Sequence, residues 1–292
     1  MKLEIERAAE LIRAGRLVAF PTETVYGLGA NALDPAAVAR IFAAKGRPRT
    51  SPLIVHVDSI EMARSLASEW TDAADLLARR YWPGPLSLVV PKRPIVPDIV
   101  TAGLAIVGLR MPAHPLALEL IGAAGVPIAA PSANRFTELS PTAAAHIPAA
   151  LADYTLDGGP ARVGIESTVL SLVDAPTLLR PGAVSITELE ALIGSILQGV
   201  APAEGAHAGP GMHARHYRPM TPLYLDTVRR EGRGMVLRVG REMPADPRAY
   251  AAVLYETLHR LDAQSLDWIA VEPPPDTPEW AGILDRLRRA AA

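Results

Sequence analysis

KGRPRTSPLIVH, Lys45 to His56, sets a short cationic turn directly before an apolar, β-branched run. Leu53-Ile54-Val55-His56-Val57 looks like a buried strand. Lys45 and Arg47 stand two apart, with Gly46 between them and Pro48 after, so the turn carries two cations to that strand. Only three lysines (Lys2, Lys45, Lys92) occur among 29 basic residues. A lysine kept here points to a place where a compact ammonium suits better than a guanidinium fork. Two cations on a loop beside a buried strand suit a polyphosphate or carboxylate ligand. A solvated basic turn is the simpler alternative for KGRP alone.

Outward from that strand, helical and strand-like patterns alternate. Ile5, Ala8, Ala9, Leu11 and Ile12 recur at helical spacing, and Gly15 is placed to end that helix. Residues 17–20 read as a short strand. Asp34-Pro35 supplies an N-cap and a first-turn proline for a helix running to Ala44. Further strand-like runs fall at 86–90, 105–109, 126–130, 168–173 and 177–179, and helical patterns at 59–68, 71–81, 115–124, 141–151 and 187–197. This interleaving predicts an α/β sheet, mixed because some strands follow one another closely.

A chain of 292 residues is long enough for two domains. From Gln198 to Pro219 the text turns to QGVAPAEGAHAGPGMHARHYRP, which reads as an extended linker. Beyond it, strands at 223–225, 235–239 and 268–271 and helices at 250–261 and 279–290 predict a small second α/β unit. The expected division is a first domain over 1–200, a linker over 201–220 and a C-terminal domain over 221–292.

Composition narrows the class. A net charge of −2 provides no global basic field, so no stable nucleic-acid binding is expected. The absence of cysteine excludes disulfides, thiolate catalysis and Cys-ligated zinc. The N-terminus, MKLEIERAAELIRAG, lacks the apolar core of a signal peptide, and no apolar run is long enough to span a bilayer. A cytoplasmic protein without membrane contact is expected.

The sequence contains no Walker A loop, and GLGANA at Gly27 lacks the third glycine of GxGxxG, so ATP would have to bind without a P-loop. Polar groups gather instead at the ends of predicted strands. Ser132 and Asn134 follow the 126–130 run, at the kind of strand end that ligands favour in open α/β sheets. Local turn capping is the alternative for any one hydroxyl. PTETVYG brings Thr22, Glu23, Thr24 and Tyr26 just after a strand, with Gly27 and Gly29 available for tight turning. Taken alone, a threonine-rich edge with a solvated Glu23 is the simpler reading. Arg110 ends a strand and is suited to fork onto a carboxylate, or to pair with a neighbouring acid. His56 inside PLIVHV has the setting of a hydrogen-bonded core residue. Glu166-Ser167-Thr168 marks another loop-to-strand junction. His207, His213 and His216 have no acidic partner close by and are weak metal ligands, so no protein metal site is assigned.

Eight segments in order carry a resemblance. They are FPTETVYGLGANA from Phe20, KGRPRTSPLIVH from Lys45, WPGPLSLVV from Trp82, GLRMPAHP from Gly108, PIAAPSANRFTELSPT from Pro127, GIESTV from Gly164, LLRPG from Leu178 and PGMHARHYRP from Pro210. Together they resemble the YrdC-like threonylcarbamoyl-AMP synthases, and the tail resembles the long form of that family. The resemblance implies a YrdC-like twisted mixed sheet with helices around a concave cavity, plus a small Rossmann-like C-terminal domain. It implies condensation of L-threonine, bicarbonate or CO₂, and ATP to threonylcarbamoyl-AMP and pyrophosphate. The product would feed a downstream tRNA-modifying transferase complex that makes threonylcarbamoyladenosine.

Carried over residue by residue, the resemblance puts Thr24, His56, Arg110 and Ser167 on threonine, with Arg110 on its carboxylate. It puts Arg47, Ser51, Ser132, Ser140 and Arg180 on the nucleotide, with main-chain groups at Ile106 and Ala130 lining the pocket. Lys45 would lie near the phosphates and act with Arg47 in catalysis. Tyr217 of HYRP would reach back over the nucleotide. Mg²⁺ is expected to travel with ATP, held mostly by phosphates and water. Two positions depart from the family pattern: Arg135-Phe136-Thr137 replaces a small Ser-Gly pair, and Ser51 stands where Asn is usual. Two other classes remain open at this point. One is a carbamoyl-transfer enzyme on the same domain, whose acylphosphatase-like and zinc-finger regions this sequence does not contain. The other is a double-stranded RNA-binding protein, against which the net charge and 5% aromatic content weigh.

Overall fold

The run that follows the cationic turn forms a strand, Ile54–His56, near the middle of a large mixed sheet. The structure is a computed structural model that describes residues 2–199 and 216–292. Ten strands among the described residues lie in the order Leu197–Gln198, Thr177–Arg180, Thr168–Ser171, Leu86–Pro91, Ile106–Arg110, Ile54–His56, Ile128–Ala129, Gly27–Asn31, Val18–Phe20, Tyr154–Thr155. Parallel and antiparallel pairs alternate irregularly, as the close spacing of strands in sequence predicts.

Helices cover both faces, and the pleat decides which residue meets which helix. Val18 and Phe20 join a core with Ile5 and Ile12 of helix Lys2–Arg13 and Leu120 and Ile121 of helix Pro115–Ala124. Their neighbours Leu17 and Ala19 turn to the opposite core, with Val38 and Ile41 of helix Pro35–Lys45 and Leu77 of helix Asp72–Tyr81. Each fully buried Ile or Leu contributes about 1.5–3 kcal/mol, so the two cores make a stiff support for the strand ends.

Register then brings the chemistry together. His56 pairs directly with Arg110 across a parallel ladder, so both close their strands side by side. Thr168–Ser171 runs parallel to Leu86–Pro91 and antiparallel to Thr177–Arg180, which returns Arg180 to the Ser167 junction.

Several expectations need correction. Gly27 and Gly29 do not make a turn. They lie in the strand Gly27–Asn31, where a Cβ on Gly29 would fall 2.8 Å from both Phe20 and Ile128. The predicted helix over 141–151 is a single turn, Ala144–His146. Pro148 explains this, because it restricts Ile147 to extended backbone, observed at φ −81, ψ 126. The helix expected over 187–197 ends at Ile193 on Gly194, and Leu197–Gln198 pairs with the sheet edge.

The C-terminal unit is a three-stranded parallel sheet in the order Leu223–Tyr224, Trp268–Val271, Gly234–Leu237, packed with helices Pro247–Asp262 and Ala281–Ala290. Its core is continuous with Val25, Leu139 and Ile165 of the first unit, so the two units meet through apolar side chains. No helix among the described residues is long and apolar enough to cross a membrane.

Candidate active site

Helix Pro35–Lys45 closes on Gly46, at φ 64, the left-handed cap that glycine supplies without strain. This cap sends the two cations of the opening motif to different places. Lys45 runs behind the Pro131–Asn134 segment, where its ammonium donates to Ser132 O at 2.6 Å, to Asn134 O, and to Asn134 Oδ1 at 3.5 Å. Burial, and then the nearby Arg47, hold its pKa well below the ordinary lysine value. Arg47 enters the cavity instead. Its Nη2 donates to Pro52 O at 3.0 Å and its Nε to Ser51 O at 3.4 Å. Its guanidinium carbon lies 5.9 Å from the Phe136 ring centroid. Burial draws its pKa down to about 10, which leaves it charged at neutral pH.

The cavity holds about 590 Å³ between atoms, its mouth included. Thr24, His56, Arg110 and Ser167 all line it. So do Arg47, Ala130, Ser132, Arg180 and Tyr217. Burial, reinforced by Arg110, pushes the His56 imidazole down to about 3, so it is neutral at physiological pH. His56 Nδ1 is buried and has no hydrogen-bond partner among the described residues. Arg110 donates from Nε to Gly84 O at 3.2 Å. Its Nη2 lies 2.7 Å from Glu23 Oε1, a buried ion pair whose angles do not make it a hydrogen bond. Ser167 Oγ lies 2.8 Å from Ser87 Oγ, and Arg180 donates to Ser167 O from Nε and Nη2 at 3.2 and 2.9 Å.

Four of the expected site residues stand outside this lining. Lys45 is behind the wall, as described. Ser51 is fully buried in the turn, with its N–H on Pro48 O at 3.2 Å. Ser140 donates its hydroxyl to Glu166 Oε1. Ile106 opens the strand that Arg110 closes, about 13 Å away along extended backbone. It faces a separate small space with Leu104 and Thr101.

Other residues belong here that sequence reasoning passed over. Glu23 is buried, pairs with Arg110 and accepts from Ala113 N at 2.9 Å, so the solvated reading of Glu23 is overturned. Glu166 lines the cavity and accepts from Ser140, Tyr255 and Arg286. Burial raises its pKa, but Arg286, Arg180 and the Ser140 hydroxyl outweigh that and hold it below the usual carboxylate value. Of the linker histidines only His216 is among the described residues, and its ring meets Phe136 edge-on at 5.8 Å. Tyr217 follows it, buried, at φ 62, with its hydroxyl lacking a partner among the described residues.

A mixed sheet opening on a guanidinium-lined cavity, with a second α/β unit docked behind it, defines a two-domain α/β enzyme architecture. The chain belongs to the threonylcarbamoyl-AMP synthase family. A model of the Sua5/YciO/YrdC family, described as telomere recombination, matches residues 10–182. The threonylcarbamoyl-AMP synthase C-terminal domain matches residues 184–292. The threonylcarbamoyl-AMP synthase of Pyrococcus abyssi is 41% identical over 99% of this chain and 94% of its own length. That of Bacillus subtilis is 41% identical over 99% of this chain and 93% of its own length. A crystal structure of P. abyssi Sua5 complexed with L-threonine superposes with a TM-score of 0.94 at 39% identity, covering 100% of this chain and 95% of the other. Full-length agreement with synthases sets aside the carbamoyl-transfer and RNA-binding alternatives.

Proposed function

We propose that the cavity condenses L-threonine, bicarbonate or CO₂, and ATP to threonylcarbamoyl-AMP and pyrophosphate, a nucleotidyl transfer. The observation that carries this reading is a single cavity lined at once by Thr24, His56, Arg110 and Ser167 and by Arg47 and Arg180. The P. abyssi relative that matches over the whole chain was crystallised with L-threonine.

The threonine amine adds to CO₂ and loses a proton, giving a carbamate. A carbamate oxygen then attacks the α-phosphorus of ATP, and the bond from that phosphorus to the α,β-bridging oxygen breaks, so the β- and γ-phosphates leave as pyrophosphate. No covalent enzyme intermediate is needed, so positioning and charge neutralisation supply the rate. Arg110 takes the threonine carboxylate on the guanidinium edge turned away from Gly84, with Glu23 fixing its orientation. Neutral His56 and the Ser167 hydroxyl can accept from the ammonium or hydroxyl of the substrate. Arg47 and Arg180 face the phosphates, and Ser132 and the Ala130 main chain line the nucleoside side. Lys45 serves by fixing the Ser132–Asn134 segment. Both carbamate and adenylate are labile in water, and Tyr217 covers the site against it.

Among the described residues no three His, Asp or Glu side chains converge as a metal site. Glu23 and Glu166 are each committed to a guanidinium. Mg²⁺ would enter with ATP, held on phosphate and water oxygens. The adenylate would pass to a tRNA-modifying transferase. Threonine-dependent exchange of labelled pyrophosphate into ATP tests the reading. Exchange without threonine, or none with all substrates present, would refute it.

A further inference from the structure

We propose that the C-terminal unit completes the active site through Arg286, a positioning residue that fixes the two strand ends bearing Ser167 and Arg180. The proposal rests on the reaction assigned above and adds a role for the second unit.

Arg286 lies on helix Ala281–Ala290, only 1% exposed. Its Nε donates to Glu166 Oε2 at 2.9 Å and its Nη2 to Glu166 O at 3.2 Å, while its Nη1 donates to Pro181 O. One guanidinium thus ties the side chain and main chain of Glu166 to the main chain of Pro181. The residues next along the chain, Ser167 and Arg180, line the cavity and are themselves joined by hydrogen bonds from Arg180 to the Ser167 carbonyl and hydroxyl. Movement at Arg286 would therefore reach both. The helix is seated by a close backbone approach, since a Cβ on Gly282 would lie 2.8 Å from Gly182 O. Tyr255, from the same unit, donates to Glu166 Oε2 at 3.1 Å. The Arg286 guanidinium and the Tyr255 ring also lie 5.3 and 6.0 Å from the Tyr217 ring. The C-terminal unit thus builds the seat for the residue that covers the cavity.

A buried ion pair is a poor adhesive, because desolvation offsets most of its attraction, and an apolar contact would join the units as well. What the pair adds is geometry: a planar fork fixes orientation as a hydrophobic contact does not. The groups facing Glu166 are Ser140 and Arg180 from the first unit, Tyr217 from the connecting segment, and Arg286 and Tyr255 from the C-terminal unit. Asp285 lies beyond Arg286, with Lys45 at longer range.

The test compares Arg286→Lys, Tyr255→Phe and Glu166→Gln in the full chain, with Arg288→Ala on the exposed side of the same helix as control. For Arg286→Lys, kcat/KM should fall about tenfold or more, the loss expected for a charge-assisted hydrogen bond. Glu166, left to burial without its fork, should titrate at higher pH, so activity should begin to fall at a higher pH on acidification. Combining Arg286→Lys with Glu166→Gln should remove that displacement. Tyr255→Phe deletes one donor and no volume, and should move the same limb less in the same direction. Hydrogen exchange should quicken at residues 164–169 and 178–184 in Arg286→Lys and not in Arg288→Ala. If these variants alter only the melting temperature, with wild-type kcat, KM, pH profile and local exchange, the proposal is overturned. A wild-type protein without threonine-dependent exchange would refute the assigned reaction instead. The local exchange pattern would still decide whether Arg286 clamps the strand ends.

Discussion

In the cavity, Arg47 leans on neutral main-chain carbonyls at Ser51 and Pro52. At the seam behind it, Arg286 gives its nitrogens to a carboxylate and to carbonyls at Glu166, Pro181 and Gly282. The first arrangement orients a cation without cancelling its charge, so its field remains available to an anionic ligand. The second neutralises the cation and converts it into a fixture. Both are buried, and burial alone would disfavour both charges. The difference lies in which partner offsets that cost, and it separates Arg47 from Arg286.

The sharpest way to break this comparison is to remove the seam charge. Arg286→Met leaves Glu166 buried without its main partner, and should lower unfolding free energy by about 3–5 kcal/mol. Adding Glu166→Gln to it should restore most of that loss, because the penalty comes from the stranded carboxylate. Urea unfolding of the single and double variants measures it. Equal stability of Arg286→Met and wild type would mean the seam is not held as described.

Arg47→Ala should behave in the opposite manner. With no buried partner charge left behind, folding should change little. ATP affinity should fall by about 1.5–3 kcal/mol, roughly ten- to 150-fold, as a charge-assisted phosphate contact is lost. Calorimetry with ATP gives the affinity, and a thermal melt gives the stability. A large stability loss with unchanged affinity would place Arg47 with Arg286 rather than with the ligand.

His56 adds a pH dependence to the cavity side. Its folded pKa, about 3, lies below the unfolded value, so the unfolded state binds the proton more readily. The stability it contributes is complete above about pH 6.5 and is lost as pH falls toward the folded pKa, by about 1.4 kcal/mol per pH unit. By pH 5 the loss is about 2 kcal/mol. His56→Asn should flatten that slope relative to wild type in unfolding curves taken from pH 7.5 to 5. An unchanged slope would show that His114, His146 or His259 carries the acid sensitivity instead.

The same contrast explains what was legible in the sequence. The cavity residues fall at strand ends, where an apolar run stops and a charged or hydroxyl residue follows, as in IVH, GLR and TLLR. Local pattern and family resemblance both pick out such junctions. The seam has no local signature, since Arg286 lies in an ordinary amphipathic helix ending and its partner is 120 residues away. Tyr255 likewise reads as one more apolar position of its helix. Glu23 looked solvated because a carboxylate between two threonines gives no hint of Arg110, which arrives from a strand much later in the chain. The Gly27–Asn31 strand was obscured by its glycines, which allow close packing against Phe20 and Ile128 rather than a turn.

Tyr217 belongs to both regions, and its hydroxyl should give the smallest and most diagnostic effect. The ring packs near Tyr255 and Arg286 at the seam, while the residue lines the cavity. Its backbone, at φ 62, is in the left-handed region that a bulky side chain seldom adopts. Such strain persists where surrounding structure over-determines it, and it is found most often at functional sites. The buried hydroxyl meets no partner among the described residues, which costs stability and suits a group kept for a ligand. Tyr217→Phe should therefore carry two opposite signs. The protein alone should be unchanged or more stable, by up to about 1 kcal/mol, because an unsatisfied buried polar group is gone. Affinity for ATP in the presence of threonine should weaken by about 0.5–1.5 kcal/mol as one hydrogen bond to the ligand is lost. Melting curves without ligand and calorimetry with it read the two signs separately. Loss of stability together with unchanged affinity would make Tyr217 a seam residue only, with no direct part in holding the nucleotide.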